Sequence, residues 1–297
     1  MRFETALKSG TIVSFAGGAL EGTGRVEFAA RDGGHWLLVT DRTPMHPLSL
    51  RWPDQPADHG AVTFADGVTA PVTDVLTGMA DPATGTLLTA EDARVVRRGE
   101  TDWRAVAVHV VATDRDLAPY LGTEAKIAVD GERRLALSAP HTAVHLAALA
   151  LNRAAERFWT KDFADRDGLG RPNLDKAAVE RSDIAPGVSV DVYRIGKSLR
   201  KKGFDRDGFL AALDAVAADV NETVRNWLAA GAAVAMTPPE GDLDGLRQWR
   251  CELDGMAAII PCGGTHMQDI ARIGAVDVTL EPSEDGFTMT TRTVPAP

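Results

Sequence analysis

Cysteine is almost absent from this 297-residue chain, which holds only Cys251 and Cys262. Two cysteines cannot staple a fold of this length, so a disulfide framework is excluded and an apolar core must do the work. The 44% of hydrophobic residues can supply one in each of two domains. Long apolar runs are missing too: no stretch approaches the roughly 18 residues that mark a membrane-spanning helix. The N-terminus places Arg2, Glu4 and Lys8 before a short mixed run from Thr11 to Leu20 and has no signal-peptide core. A soluble, cytoplasmic protein is expected, in a reducing compartment that suits a free thiolate. Positive charge is also in deficit. With 32 Lys and Arg against 42 Asp and Glu, the net charge of −10 argues against indiscriminate binding of nucleic acid, DNA included.

What the chain does have is two kinds of pattern. Residues 1–112 read as short strands punctuated by turns. Arg25 to Ala30 and His35 to Thr40 flank Asp32-Gly33-Gly34 as a hairpin, and Asp66-Gly67 separates Ala61 to Phe64 from a strand containing Val72 and Val75. Regular short strands of this kind suggest a small β-barrel. Gly17, Gly18, Gly22 and Gly24 read as turn residues, Gly78 to Thr89 as a loop, and a strand near Trp103 to Val111 closes the first domain. Residues 113–297, beginning at Thr113-Asp114-Arg115-Asp116, mix strands with long helices and read as an α+β domain. Phe209, Leu213, Val216, Val220, Val224 and Leu228 recur at three- and four-residue steps, which predicts a core-facing helix ending near Gly231.

Chemistry concentrates in two five-residue motifs, His141-Thr142-Ala143-Val144-His145 and Cys262-Gly263-Gly264-Thr265-His266. On a helix, positions i and i+4 share a face, so His141 and His145 can address one ion. Ser138 is expected to cap that helix, with Pro140 in its first turn. The Gly-Gly pair excludes a helix from the second motif and allows a turn that aims Cys262 and His266 at one point. Three imidazoles and a thiolate predict one metal ion per chain, with Zn2+ the preferred species. By contrast, His35, His46, His59 and His109 read as ordinary strand or loop residues, Cys251 as a small buried hydrophobe, and Asp165-Arg166-Asp167-Gly168 as a turn rather than a calcium loop.

The two motifs resemble the metal-binding signatures of the editing domains of alanyl- and threonyl-tRNA synthetases and of the free-standing alanyl-tRNA editing proteins. The match extends to Asp130-Gly131-Glu132-Arg133-Arg134 before the first motif, to Val188 to Asp191 with the later helix bearing Asn221, and to two N-terminal stretches. These are Asp41-Arg42-Thr43-Pro44-Met45-His46-Pro47 and Asp54-Gln55-Pro56-Ala57-Asp58-His59-Gly60. The resemblance spans roughly residues 40–285. It departs from the family at Ser49 to Asp54, where glycines are usual, and at Arg272-Ile273-Gly274, where a Glu usually leads.

The resemblance implies an α+β metal-binding editing domain behind the barrel and a trans-editing deacylase that hydrolyses mischarged alanine tRNA, carrying Ser or Gly. It implies polar contacts to the bound amino acid from Gln55, Thr43 and Thr265, with Gly263 and Gly264 beside the substrate. No ATP-binding module is apparent. The densest basic cluster, Arg194, Lys197, Arg200, Lys201, Lys202 and Arg206, is either a solvated connection or a contact to tRNA phosphates through Arg194, Lys197 and Lys201. Two alternatives stand beside this reading. One is a hydrolase of the same architecture acting on another acyl ester, and the other a non-catalytic tRNA-binding module with a structural zinc.

Overall fold

The computed structural model describes residues 1–97, 99–100 and 102–294. It is a mixed α+β protein, mostly strands with a few helices. The first ten strands are β1 (Arg2–Glu4), β2 (Ile12–Val13), β3 (Glu21–Asp32), β4 (His35–Thr40), β5 (Arg42–Thr43), β6 (Gly60–Thr63), β7 (Thr69–Asp81), β8 (Thr86–Thr89), β9 (Arg104–Val111) and β10 (Glu124–Val129). Helices α1 (Gly131–Ala155) and α2 (Leu174–Ala178) precede β11 (Val179–Ala185) and β12 (Val188–Arg194). Then come α3 (Lys197–Lys201), α4 (Arg206–Ala211), α5 (Leu213–Ala230), β13 (Val234–Thr237), β14 (Gly241–Asp242), β15 (Gln248–Leu253), β16 (Met256–Pro261), β17 (Ala275–Pro282) and β18 (Gly286–Val294).

The chain divides into two compact units. The first comprises Met1–Arg134, Thr237–Arg247 and Gly263–Thr265; the second comprises Leu135–Met236, Gln248–Cys262 and the chain from His266 onward. The boundary expected at 112/113 falls inside the first unit, because β10 follows it yet pairs with both β3 and β6. Residues 295–297 of the expected second domain lie outside the described residues.

In the first unit eight strands pair in the order β1-β8-β7-β6-β10-β3-β4-β9, and β9 pairs again with β7. The expected hairpin forms between β3 and β4, with Asp32 opposite His35 across Gly33-Gly34. Alternation along β4 is apolar on both faces: Trp36 and Leu38 enter one buried cluster, Leu37 and Val39 another. Two expectations fail here. Gly78 to Thr89 is not a loop, since β7 continues to Asp81 and β8 begins at Thr86, leaving only residues 82–85 to turn. Gly22 and Gly24 lie within β3 rather than in turns. A Cβ on Gly24 would stand 2.3 Å from the Arg42 carbonyl oxygen, so close backbone approach, not bending, is what requires glycine there.

The second unit holds a four-stranded sheet, β11-β12-β18-β17, and a three-stranded one, β13-β15-β16. Helix α5 lays the predicted stripe inward, with Leu213, Val216, Val220 and Val224 buried and Phe209 contributed by α4. Asn221 locks α5 to β17. Its amide donates to the Val278 carbonyl (2.7 Å) and accepts from the Val278 N–H (2.9 Å). Asp167 forms the expected turn, one carboxylate oxygen accepting from the N–H groups of Leu169 and Arg171. Cys251 is fully buried on β15 as expected, and burial pushes its thiol up to about 11.

Candidate metal centre

Helix α1 positions the first two ligand candidates, and it does so differently from expectation. It begins at Gly131, not beside Ser138. Asp130 caps it, its carboxylate accepting from the Arg133 N–H (3.1 Å) and its carbonyl from the Arg134 N–H (3.0 Å). Pro140 is therefore inside the helix, where it has no N–H for the Ala136 carbonyl and would ordinarily break the ladder. Gly187, in the tight connection between β11 and β12, donates to that carbonyl at 3.0 Å instead. With the orphaned acceptor satisfied, the helix runs on through His141 and His145.

Cys262 follows directly on β16, and His266 lies four residues later in an irregular segment, as two adjacent glycines dictate. The ligand atoms of His141, His145, Cys262 and His266 all lie within 4.8 Å of one another. Cys262 Sγ is 3.4 Å from His141 Nε2 and 3.3 Å from His266 Nε2. A tetrahedral ion with ordinary Zn–N and Zn–S bonds holds its ligand atoms about 3.3 to 3.6 Å apart, so the cluster is close to coordinating dimensions. His141 is buried, and the other three residues are half-buried.

The donors fit a metal on a second count. His145 Nε2 is buried and has no hydrogen-bond partner. A polar atom left so is costly unless something coordinates it. Burial also holds the His145 ring well below its usual range, at about 4, so it is the neutral form a metal requires. The indole of Trp249, fully buried on β15, lies 5.3 Å from the His145 ring and walls off that side.

Thr142, which falls between the two histidines, carries a role the motif alone did not reveal. Its fully buried hydroxyl donates to the Ser138 carbonyl (2.8 Å) and accepts from the Met267 N–H (2.9 Å). It also lies 3.2 Å from His266 Nδ1. With the hydroxyl proton given to Ser138, Thr142 can only accept from His266, which puts the imidazole proton on Nδ1 and leaves Nε2 for the ion. A β-hydroxyl between the two histidines was the available signal. Trp249 gave none, because nothing in sequence links position 249 to 145.

The remaining site candidates are placed as follows. Gln55 and Thr265, both buried in the first unit, bond each other twice: Gln55 Nε2 donates to Thr265 Oγ1 (2.8 Å), and the Thr265 N–H donates to Gln55 Oε1 (3.0 Å). The amide thus grips the residue that immediately precedes His266 in the chain, within the segment holding Gly263 and Gly264. Thr43 is buried; its Oγ1 lies 2.9 Å from His109 Nε2 and accepts from the Met45 N–H (3.2 Å). His109 is a buried core histidine, its Nδ1 at 3.1 Å from the Leu38 carbonyl, and burial lowers it to about 4. Asp54, next to Gln55, is raised to about 6 by burial. Residues 49–54 form no helix or strand, and Trp52 is left exposed.

In the basic cluster Arg194 is engaged by Glu180 (3.4 Å) and Asp285 (3.9 Å), while Lys197 and Lys201 are exposed ends of the five-residue α3. Among the described residues no helix is long and apolar enough to cross a membrane. No model of a known protein family matches the chain, and no curated protein does.

Proposed function

We propose that the chain is a metal-dependent aminoacyl-tRNA deacylase that clears mischarged alanine tRNA in trans, Ser-tRNA(Ala) first and Gly-tRNA(Ala) second. The observation that carries this reading is the convergence of His141, His145, Cys262 and His266, with His145 Nε2 unpartnered and His266 oriented by Thr142. The motif resemblance, spread in order over most of the chain, points from that centre to ester hydrolysis on tRNA. The pairing circuit β7-β6-β10-β3-β4-β9-β7 supports reading the first unit as a small β-barrel ahead of the editing domain.

His141, His145, Cys262 and His266 would hold one Zn2+. When bound, such an ion supplies Lewis acidity toward an acyl oxygen and lowers the pKa of a water. The protein's own part is positional. Thr142 keeps Nε2 of His266 forward, Trp249 excludes water from the His145 side, and within the first unit Gln55 holds Thr265. No carboxylate lies between the two histidines, so the general base of a HExxH protease is missing from this helix. An aminoacyl ester needs less help than a peptide: a positioned water attacks the acyl carbon, and the neighbouring ribose hydroxyl relays its proton by passing its own to the ribose oxygen that departs as the ester bond breaks.

The need for such an enzyme follows from discrimination energetics. A pocket shaped for alanine rejects glycine by only about 1–3 kcal/mol, and it tolerates the added hydroxyl of serine comparably, so a second, hydrolytic site must sort the products. Sparing alanine requires that this second site hydrogen-bond the serine hydroxyl, for which Thr43, Gln55 and Thr265 are the proposed donors and acceptors. A structural zinc is the competing reading, because four protein donors are what a closed site contains. Single-turnover hydrolysis of Ser-, Gly- and Ala-tRNA(Ala) by zinc-loaded protein and by a folded Cys262→Ala variant separates the two. Loss of Ser or Gly with Ala spared, abolished in the variant, supports editing. Absence of turnover in the zinc-loaded protein refutes it.

A further inference from the structure

Within the second unit a cavity of about 710 Å³ opens beside α3, between residues 161–165, α2, the start of β11 and the end of β12. None of the four metal-ligand candidates lines it. Its floor is apolar, made by Phe163, Leu199 and Ala178, which are buried, and its rim is charged. The three carboxylates on that rim are all engaged: Asp162 with Arg166, Asp165 with Lys176 (2.9 Å), and Glu180 with Arg194 (3.4 Å). Two rim cations are not. Among the described residues no carboxylate pairs with Lys161 or Lys202. Lys161 Nζ donates to the Lys201 carbonyl (3.3 Å), and Lys202 Nζ lies 5.4 Å from the Phe163 ring centre.

The same holds for Lys197, Arg200 and Lys201 on the adjoining helix, which do not line the cavity, so two exposed cations on its rim and three beside it have no carboxylate partner among the described residues, in a chain of net charge −10. The backbone holds them there. The Gly203 carbonyl accepts from both the N–H and the hydroxyl of Thr160, each at 2.8 Å, which fastens Lys161 alongside residues 201–203. Gly203 has φ 102°, and a Cβ on it would stand 2.7 Å from the Lys161 Cβ, so only glycine permits this approach. Like charges fastened side by side repel, and among the described residues no carboxylate pairs with them. A phosphate backbone would, since neutralising phosphates with Lys and Arg is the main source of affinity for nucleic acid.

We propose that this cavity and the α3 rim seat backbone phosphates of RNA, with Lys161 and Lys202 as the principal contacts in place of the engaged Arg194. That the RNA is tRNA rests on the deacylase reading; the phosphate chemistry does not. The test is fluorescence anisotropy of labelled, uncharged tRNA(Ala) over a salt series. The proteins compared are the full chain, Lys161→Glu/Lys202→Glu, and a control of equal charge change in the first unit, Lys8→Glu/Lys126→Glu.

The expected result is at least a tenfold loss of affinity in the first variant alone. Its slope of log affinity against log salt should be shallower by about 1.5, the value for two lost phosphate contacts. Equal losses in both variants, or none in either, overturn the proposal. Competition by inorganic phosphate or pyrophosphate at constant ionic strength, without tRNA binding by the wild type, also overturns it and assigns the cavity to a small anion. Specific RNA binding without deacylation leaves the phosphate seat standing and removes the editing reading. Deacylation that survives the charge reversals with unchanged KM does the opposite.

Discussion

Replacing Thr142 by valine keeps the shape of the side chain and removes only its hydroxyl, which is the group that joins α1 to the second metal motif. Three contacts go with it. The Ser138 carbonyl loses an extra donor at little cost, because a helix carbonyl already has its own partner. The Met267 N–H loses its acceptor in a buried setting, which costs about 1–3 kcal/mol in the metal-free protein. His266 loses the acceptor facing Nδ1, and removing the partner of a ligand imidazole weakens metal binding roughly 10- to 100-fold. The two effects are separable. Urea denaturation of metal-free wild type and Thr142→Val reads the first, and competitive zinc titration against a chelator of known affinity reads the second, under conditions where both proteins remain folded. Thr142→Ser restores the hydroxyl and should return zinc affinity to near wild type. Zinc binding by Thr142→Val as tight as wild type would refute the argument that Thr142 sets the tautomer of His266, whatever happens to stability.

Other consequences follow from buried polar groups. Arg134 and Asp58 form an ion pair 7% and 0% exposed, and Asp58 also accepts from the His46 N–H. Arg134→Ala leaves that carboxylate buried and uncompensated and should cost about 3–5 kcal/mol in urea denaturation, whereas Arg134→Met combined with Asp58→Asn should recover most of the loss. Asn221→Leu removes both bonds to Val278, itself 2% exposed, and is expected to lower stability by about 1–3 kcal/mol; a change under 0.5 would show that α5 is held by its apolar stripe alone. His109 is held down at about 4 by burial, below its unfolded value of 6.5. The unfolded chain therefore takes up a proton that the folded one refuses, and stability is lost as pH falls from about 6.5 toward 4, by roughly 3 kcal/mol. Asp54, raised to about 6, acts in the opposite direction over part of this range. The effect is accordingly read as the difference between the pH profiles of wild type and His109→Gln, and parallel profiles would refute it.

How much of this was legible in sequence depends on how local the cause was. The four residues that converge on the candidate metal centre were, because an i,i+4 pair of imidazoles and a Cys-x-x-x-His separated by glycines declare their geometry within five residues. The α5 stripe and the β3–β4 hairpin were legible for the same reason. The boundary after residue 112 was not, because the features marking it are polar turn residues, while membership of β10 in the first unit depends on pairing with strands far earlier in the chain, Lys126 standing opposite both Thr23 and Thr63. Gly22 and Gly24 carried a turn signal that was false, since at Gly24 the demand for glycine comes from the close approach of the Arg42 carbonyl on β5.

Pro140 shows most clearly where local reading stops. Alone in sequence it marks a helix start, because an interior proline removes one hydrogen bond and orphans the carbonyl four residues back. The helix instead carries it ten residues after the cap at Asp130, since Gly187 supplies the missing donor to Ala136 from a different part of the second unit. That exchange has a consequence for the metal centre. His141 directly follows the proline, so the direction in which its imidazole points is set by the backbone just after the interruption, and the β11–β12 connection is part of what aims it. The candidate ligand pair His141 and His145 is thus written in five residues, but the helix that makes them a pair is completed by a glycine 46 positions after the first of them.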